Sequence, residues 1–196
     1  MKEKHVFQLL AVLIMLIFYN IYFLKMLSQR KKGIKTNQIG KRKEKDIHIV
    51  ETLMGVGTCL IVIVQLLSIV LNLTMLPFYA RVTGFIMAMF GNTIFLISVL
   101  CMKDSWRAGI PEKDKTKLVT KGIYKISRNP AFLGFNLMYI GILLIFFNYG
   151  LLLFTVYVIM MLHLQVLQEE KYMEKTFENE YLQYKNKVFR YIGRRW

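Results

Sequence analysis

The stretch PAFLGFNLMYIGILLIFFNYGLLLFTVYVIMMLHLQVL, residues 130–167, decides the fold. It contains two apolar runs, 130–147 and 151–167, with no Asp, Glu, Lys or Arg in either and only Asn148-Tyr149-Gly150 between them. At 1.5 Å per residue an 18-residue helix reaches about 27 Å, enough to cross the apolar core of a bilayer. A three-residue connector cannot carry the chain elsewhere, so the two runs are expected to form an antiparallel hairpin.

Working outward, three more apolar stretches precede the hairpin, at residues 6–24, 52–76 and 82–102. The first is too long for the apolar part of a signal peptide, and Lys25-Met26-Leu27-Ser28-Gln29-Arg30 after it offers no small-residue cleavage site, so it reads as a retained span. The composition agrees: 55% of the 196 residues are hydrophobic, yet the net charge is +15. A soluble domain of this size has too much surface per volume to hide that apolar content, whereas a bilayer takes it up and leaves the charge in the loops. The basic residues flank apolar runs instead of decorating one folded face, which fits attraction to anionic membrane lipids and not nucleic-acid binding.

Lys plus Arg in the six segments outside the spans number 2, 9, 1, 8, 0 and 7, in chain order. This alternation predicts an N-terminus outside and a C-terminus in the cytoplasm. It also checks the span number, because losing one helix would put basic segments on opposite sides. The expected fold is therefore all-α: a polytopic integral membrane protein with five transmembrane helices. A C-terminal amphipathic helix over 166–192 follows, with Val166, Met173, Phe177, Tyr181, Tyr184 and Val188 at helical spacing. Residues 1–102 read as a three-span scaffold, and residues 103–196 as the region that carries the chemistry.

Gly84, Ala88 and Gly91 in the third span, and Gly134 and Gly141 in the fourth, read as close helix-packing positions. Asn72 and Asn92 read as interhelical hydrogen-bonding groups. Cys59 and Cys101 lie inside apolar runs and read as small buried hydrophobes; no metal site or disulfide framework is expected.

Chemistry concentrates at the start and end of the hairpin. Asn129 suits a helix N-cap and Pro130 the first helical position, which places Arg128 at the positive end of a helix. Free N–H groups, the helix dipole and a guanidinium there would hold an anionic group. At the other end lies Glu169-Glu170, a carboxylate pair that is costly at that depth without a cationic partner. Glu170 is seven residues from both His163 and Phe177, so the three share a helical face that turns Glu170 towards Arg128. A salt bridge that pins the hairpin, with no catalysis, explains the same residues, and His163 fits an interior hydrogen-bonding group as well as a reactive one.

With Leu118-Val119-Thr120, Gly122, Tyr124, Arg128-Asn129-Pro130, Phe132, Gly134, Glu169-Glu170, Phe177, Tyr181 and Tyr184 in this order, the chain resembles the isoprenylcysteine carboxyl methyltransferases and their phospholipid methyltransferase-like relatives. Asp104-Ser105-Trp106-Arg107-Ala108-Gly109-Ile110 is similar to a Ser-Trp-Arg segment of a prokaryotic branch. The match covers roughly residues 100–192. Where the family's motif carries His and Tyr, this chain has Asn129 and Phe132; neither side chain can act as an acid or base.

The resemblance implies a membrane methyltransferase that uses S-adenosylmethionine at the cytoplasmic ends of the last two spans. Leu118, Val119, Gly122, Tyr124, Arg128, Asn129, Pro130, Glu169 and Glu170 are the expected cofactor-binding residues, with Arg128 and Glu170 also expected to be catalytic. The acceptor is expected to be lipophilic and carboxylate-bearing, reached from the bilayer, with Trp106, Arg107 and His163 near its polar end. A carboxylate is already ionised at pH 7 and needs no general base, whereas an amine would need Glu170 or His163. Two readings compete: an NADPH-dependent reductase of the sterol type, and a membrane protein without catalysis.

Overall fold

The computed structural model describes residues 2–40, 44–110 and 116–195, and these are helices joined by turns. Helix α1 spans Lys2–Arg30, α2 Lys45–Val70, α3 Phe78–Met102, α4 Pro130–Ile145 and α5 Tyr149–Lys187. Two 3-10 turns, Lys103–Ser105 and Gly122–Lys125, lie between α3 and α4. The boundaries follow from local chemistry. Asn72, in the left-handed region at φ 48°, ends the turn after α2, and Pro77 stands before α3. Pro130 opens α4 where its missing N–H is not needed. The Asn148 side chain caps α5 by accepting a 2.9 Å hydrogen bond from the Leu151 N–H.

The expected hairpin is present as α4 and α5, joined by residues 146–148. Helices α1, α2, α3 and α5 are long and apolar enough to cross a membrane, and α4 is a shorter apolar helix of 16 residues. Large apolar side chains point away from the bundle, among them Leu9, Ile63, Phe90 and Leu153, all more than half exposed. Such a surface suits a hydrocarbon solvent and would be a liability in water. The bundle has two chemically different ends. One carries the Lys- and Arg-rich segments and is called the basic end below. At the other, the buried Arg81 guanidinium stacks on Phe7 and Phe146 at 4.2 and 5.2 Å from the ring centroids and donates to Asn72.

Two helix pairs are packed most closely. In α3 and α4 the glycines face each other: a Cβ added at Gly84 would meet the Gly141 carbonyl oxygen at 2.6 Å, and one at Gly91 would meet that of Gly134 at 2.6 Å. In α2 and α5, Gly57 lies against Tyr157 and Val158. The expected packing role of the α3 and α4 glycines is thus explained by backbone contact. Asn92 ties α3 to α1 through the Ile14 carbonyl, at 3.0 Å. Asn72, in the turn after α2, accepts from Arg81 of α3 at 3.3 Å, whereas Cys59 is exposed and Cys101 half-buried, contrary to the expectation that both are buried.

The tail also differs from its sequence reading. No separate amphipathic helix begins at Val166: α5 runs on through that position, breaks at Glu178 (φ 44°) and ends at Lys187. Residues 188–195 then fold back, with Val188 bridged to Arg194. The stripe of Met173, Phe177, Tyr181, Tyr184 and Val188 packs as a small cluster against Leu118. Its apolar face is therefore covered by protein.

Gly91→Ala and Gly141→Ala are each expected to destabilise the protein by about 1–3 kcal/mol, because the added methyl group meets backbone that cannot rotate away. Thermal unfolding in detergent micelles measures this, with Gly33→Ala, at a position with open space but a positive φ, as a strain-only comparison.

Candidate active site

The carboxyl group of Glu170 is buried at the basic end, where three segments meet. Its Oε1 accepts from Arg128 Nη2 at 3.0 Å and from Asn129 Nδ2 at 2.9 Å. Its Oε2 accepts from Arg190 Nη2 at 3.0 Å and Nε at 3.2 Å. The side chains of Arg128 and Glu170 are 7% and 5% exposed, so this pair is shielded from water. Burial pushes the Glu170 carboxyl up, but the Arg190 hydrogen bond and the charges of Arg128 and Arg190 outweigh it, and the net shift is below its ordinary value.

Arg128 and Glu170 thus come together, and the structure adds two partners. Asn129 occupies the N-cap position of α4 without capping it; its amide donates to Glu170 and to the Arg190 carbonyl. Arg190 carried no signal in the sequence, because only the reversal after Lys187 brings it back to α5. The start of α4 is also more occupied than its sequence implies. The N–H groups of Arg128 and Asn129 donate to the carbonyls of Phe189 and Arg190, both at 3.1 Å. Arg128 Nη1 is held by the Lys185 and Val188 carbonyls. The returning tail presents its carbonyls where a free anion was expected.

Two cavities adjoin this cluster. The smaller, about 120 Å³, is lined by Leu118, Val119, Tyr124, Arg128, Asn129, Glu169 and Glu170 among others, and suits the charged end of a ligand. The larger, about 520 Å³, runs between the helices and is walled mainly by aromatic and aliphatic side chains, including Phe18, Tyr22, Phe95, Phe135 and Tyr139. That volume lies in the range of small-molecule sites. Trp106, Arg107, Gly109, Ala131, Phe132 and Glu169 line both, so they form the shared wall.

Glu169 follows the apolar run 151–167 and opens onto both cavities. Burial pushes its carboxyl up to about 7; the hydrogen bond from Gln165 opposes this and the nearby Glu51 adds to it. Trp106 is buried, edge-on to Tyr22, and Arg107 donates to the carbonyls of Asp104 and Trp106.

Three expected residues lie elsewhere. His163 lines neither cavity and pairs with the Tyr191 hydroxyl at 2.8 Å, which ties the tail to α5. Gly122 is a turn residue at φ 64°, where a Cβ would meet Cys101 Sγ at 2.7 Å. Pro130 is buried at the start of α4. Sequence reasoning missed the contribution of the first two helices to the larger cavity, since the aromatic residues of α1 and the small and aliphatic ones of α2 look like any apolar span.

Glu170→Ala is expected to lower stability by about 3–5 kcal/mol, because Arg128 is then buried without its counter-charge. Arg190→Ala costs less, its side chain being 34% exposed. The lowered carboxyl keeps its ion pairs above pH of about 4.3, and their stabilisation is lost as pH falls through the lower native value. Thermal unfolding against pH checks this: the acid loss seen in the wild type is flattened in Glu170→Ala.

Comparison with known proteins gives the chain a family. Protein-S-isoprenylcysteine O-methyltransferase of Saccharomyces cerevisiae is 39% identical over 72 residues, which cover 36% of this chain and 30% of that protein. The sequence profile of the phospholipid methyltransferase family matches residues 50–180. That match takes in about two thirds of the sequence, both helices of the hairpin and the buried carboxyl at its mouth, and the chain belongs to the phospholipid methyltransferase family.

Proposed function

We propose that this protein is an integral membrane methyltransferase that takes its methyl group from S-adenosylmethionine and transfers it to the polar end of a lipid-like acceptor. The observation that carries this reading is the pair of adjoining cavities, one small and charged, one large and apolar, with a wall in common. The residues of the smaller cavity fit the cofactor's mixed charge. Glu169 would take its ammonium or ribose hydroxyls. Arg128, whose buried Nε has no hydrogen-bond partner among the described residues, supplies positive potential. The rings of Tyr124 and Phe132 offer faces that favour a cation. When bound, the cofactor supplies an electrophilic methyl group on a positively charged sulfur.

The chain's own residues then position and shield. Glu170 is engaged by Arg128, Asn129 and Arg190, so its role is to fix the mouth of the hairpin and set the local potential. Trp106 and Phe132 exclude water at the shared wall, and Arg107 favours a negatively charged acceptor end there. A carboxylate acceptor needs no base, and its in-line displacement depends mainly on positioning. We read α4 as the fourth of five spans, with the N-terminus outside and the basic end, including the site, in the cytoplasm. In this reading residues 103–196 carry the cofactor site, and the apolar cavity receives its acceptor sideways from the bilayer. The elevated Glu169 favours a second reading for the acceptor alone: an amine whose proton Glu169 removes.

The test is to titrate the purified protein with S-adenosylmethionine, its demethylated product and NADPH, and to follow labelled methyl transfer to S-farnesylcysteine. Saturable binding of the first two is expected, weakened about tenfold or more in Glu169→Gln, the loss of one charge-assisted contact. Binding of NADPH alone overturns the reading. A base-labile product marks a methyl ester and a base-stable one an amine. Glu169 holds the cofactor's ammonium as a carboxylate, and burial raises it to about 7, so cofactor binding strengthens as pH rises through that value.

A further inference from the structure

A second buried carboxyl lies outside the cluster just described. Glu51, in the first turns of α2, is fully buried. Its Oε2 accepts from the Gly40 N–H at 2.6 Å, and its Oε1 from the Ile110 N–H at 3.1 Å. These amides belong to two connections far apart in sequence: the one from α1 to α2 and the one that leaves α3. The two connections also pair directly, Gln38 N–H with the Ala108 carbonyl at 2.8 Å and Ala108 N–H with the Thr36 carbonyl at 3.0 Å. From the α1 side, the fully buried Gln29 donates to the Trp106 carbonyl at 3.0 Å and accepts from Thr36 Oγ1 at 2.7 Å.

These connections close the basic end of the apolar cavity. Asn37 and Ile39 line it from the first, and Trp106, Arg107, Ala108 and Gly109 from the second. Gly109 is shaped for the junction: it has φ 84°, and a Cβ there would come within 2.9 Å of Ile39 N and 3.1 Å of Glu51 Oε1. A carboxyl taken out of water is costly unless its oxygens are hydrogen-bonded. Among the described residues the groups on those oxygens are the two amides it joins, so its cost is offset most fully when both connections are in place. The device therefore stabilises one arrangement of the cavity's cover over others.

We infer that Glu51 is a positioning residue for the acceptor: it latches the two connections together and so sets the place of the Trp106–Gly109 wall against the acceptor's polar end. This rests on the methyltransferase reading for its functional half, and on geometry alone for the latch. Glu51 lines neither cavity; beyond its charge on Glu169, its effect is carried by the backbone it holds.

The test uses full-length protein in micelles, with amide hydrogen exchange and methyl transfer to S-farnesylcysteine measured on the same samples. In Glu51→Ala the Gly40 and Ile110 amides are expected to exchange about tenfold faster or more, since each loses its acceptor. The apparent KM for S-farnesylcysteine is expected to rise about tenfold, with kcat and the affinity for the demethylated cofactor within about threefold, as for loss of acceptor placement alone. Glu51→Gln keeps one acceptor oxygen and falls between wild type and Glu51→Ala. Should Glu51→Ala not fold, Gly40→Ala strains the same junction from the first connection, at φ 73° and outside the lining of either cavity, and gives the same pattern.

Unchanged exchange at both amides overturns the latch. Faster exchange with KM unmoved overturns the positioning role. If the wild type transfers no methyl group to S-farnesylcysteine, quenching of Trp106 fluorescence by that compound replaces KM, and weaker quenching in Glu51→Ala upholds the inference while equal quenching overturns it. The failure of the transfer reaction is then separate from the failure of the latch.

Discussion

The carboxyl group of Glu170 joins three parts of the chain that are far apart in sequence. Arg128 and Asn129 come from the turn before α4, Arg190 from the tail, and Glu170 itself from α5. A buried carboxylate is unfavourable on its own, and so is a buried guanidinium. Each is tolerable only when all four side chains are assembled. The mouth of the hairpin, the fold-back after Lys187 and the smaller cavity therefore share this one interaction, which the backbone hydrogen bonds of the tail reinforce. It also gives a physical role to Asn129. Where the isoprenylcysteine methyltransferase pattern has a histidine, an amide donates to the same carboxyl and cannot exchange a proton.

Packing elsewhere leaves room for a ligand. Helices α3 and α4 meet backbone to backbone through Gly84, Gly91, Gly134 and Gly141, and α2 meets α5 at Gly57. Helix α1 lies across them, with Phe18 against Phe95 and Phe135. In lipid, close approach is stabilised by contact and not by expulsion of water, so small residues decide which helices touch. Two tight pairs with bulky aromatic residues between them enclose the apolar cavity. The helices that looked like scaffold supply much of its wall.

The two buried glutamates at the basic end share a logic. Glu170 collects side-chain cations, whereas Glu51 collects backbone amides, and each makes loop geometry depend on a single carboxyl. Between them lies Glu169, which opens onto both cavities and whose shift is upward where that of Glu170 is downward. Two neighbours in sequence are driven apart by partners: one faces arginines, the other faces a cavity wall and a glutamine.

Much of this protein was legible in its sequence. Apolar runs, a three-residue connector and Pro130 at a helix start define the hairpin, because they act locally and through length. The seven-residue spacing of His163, Glu170 and Phe177 correctly turned Glu170 towards Arg128, because helical period is a local property. The tertiary structure alone decided the rest. Arg190 reaches Glu170 only through a chain reversal, the tail's carbonyls take the helix start that looked open, and His163 turns to Tyr191. Glu51 was invisible as a latch because its partners are backbone amides 11 and 59 residues away. Periodicity reports which face of a helix a residue occupies; what lies opposite that face depends on how distant segments pack, and that is settled only when the whole chain is folded.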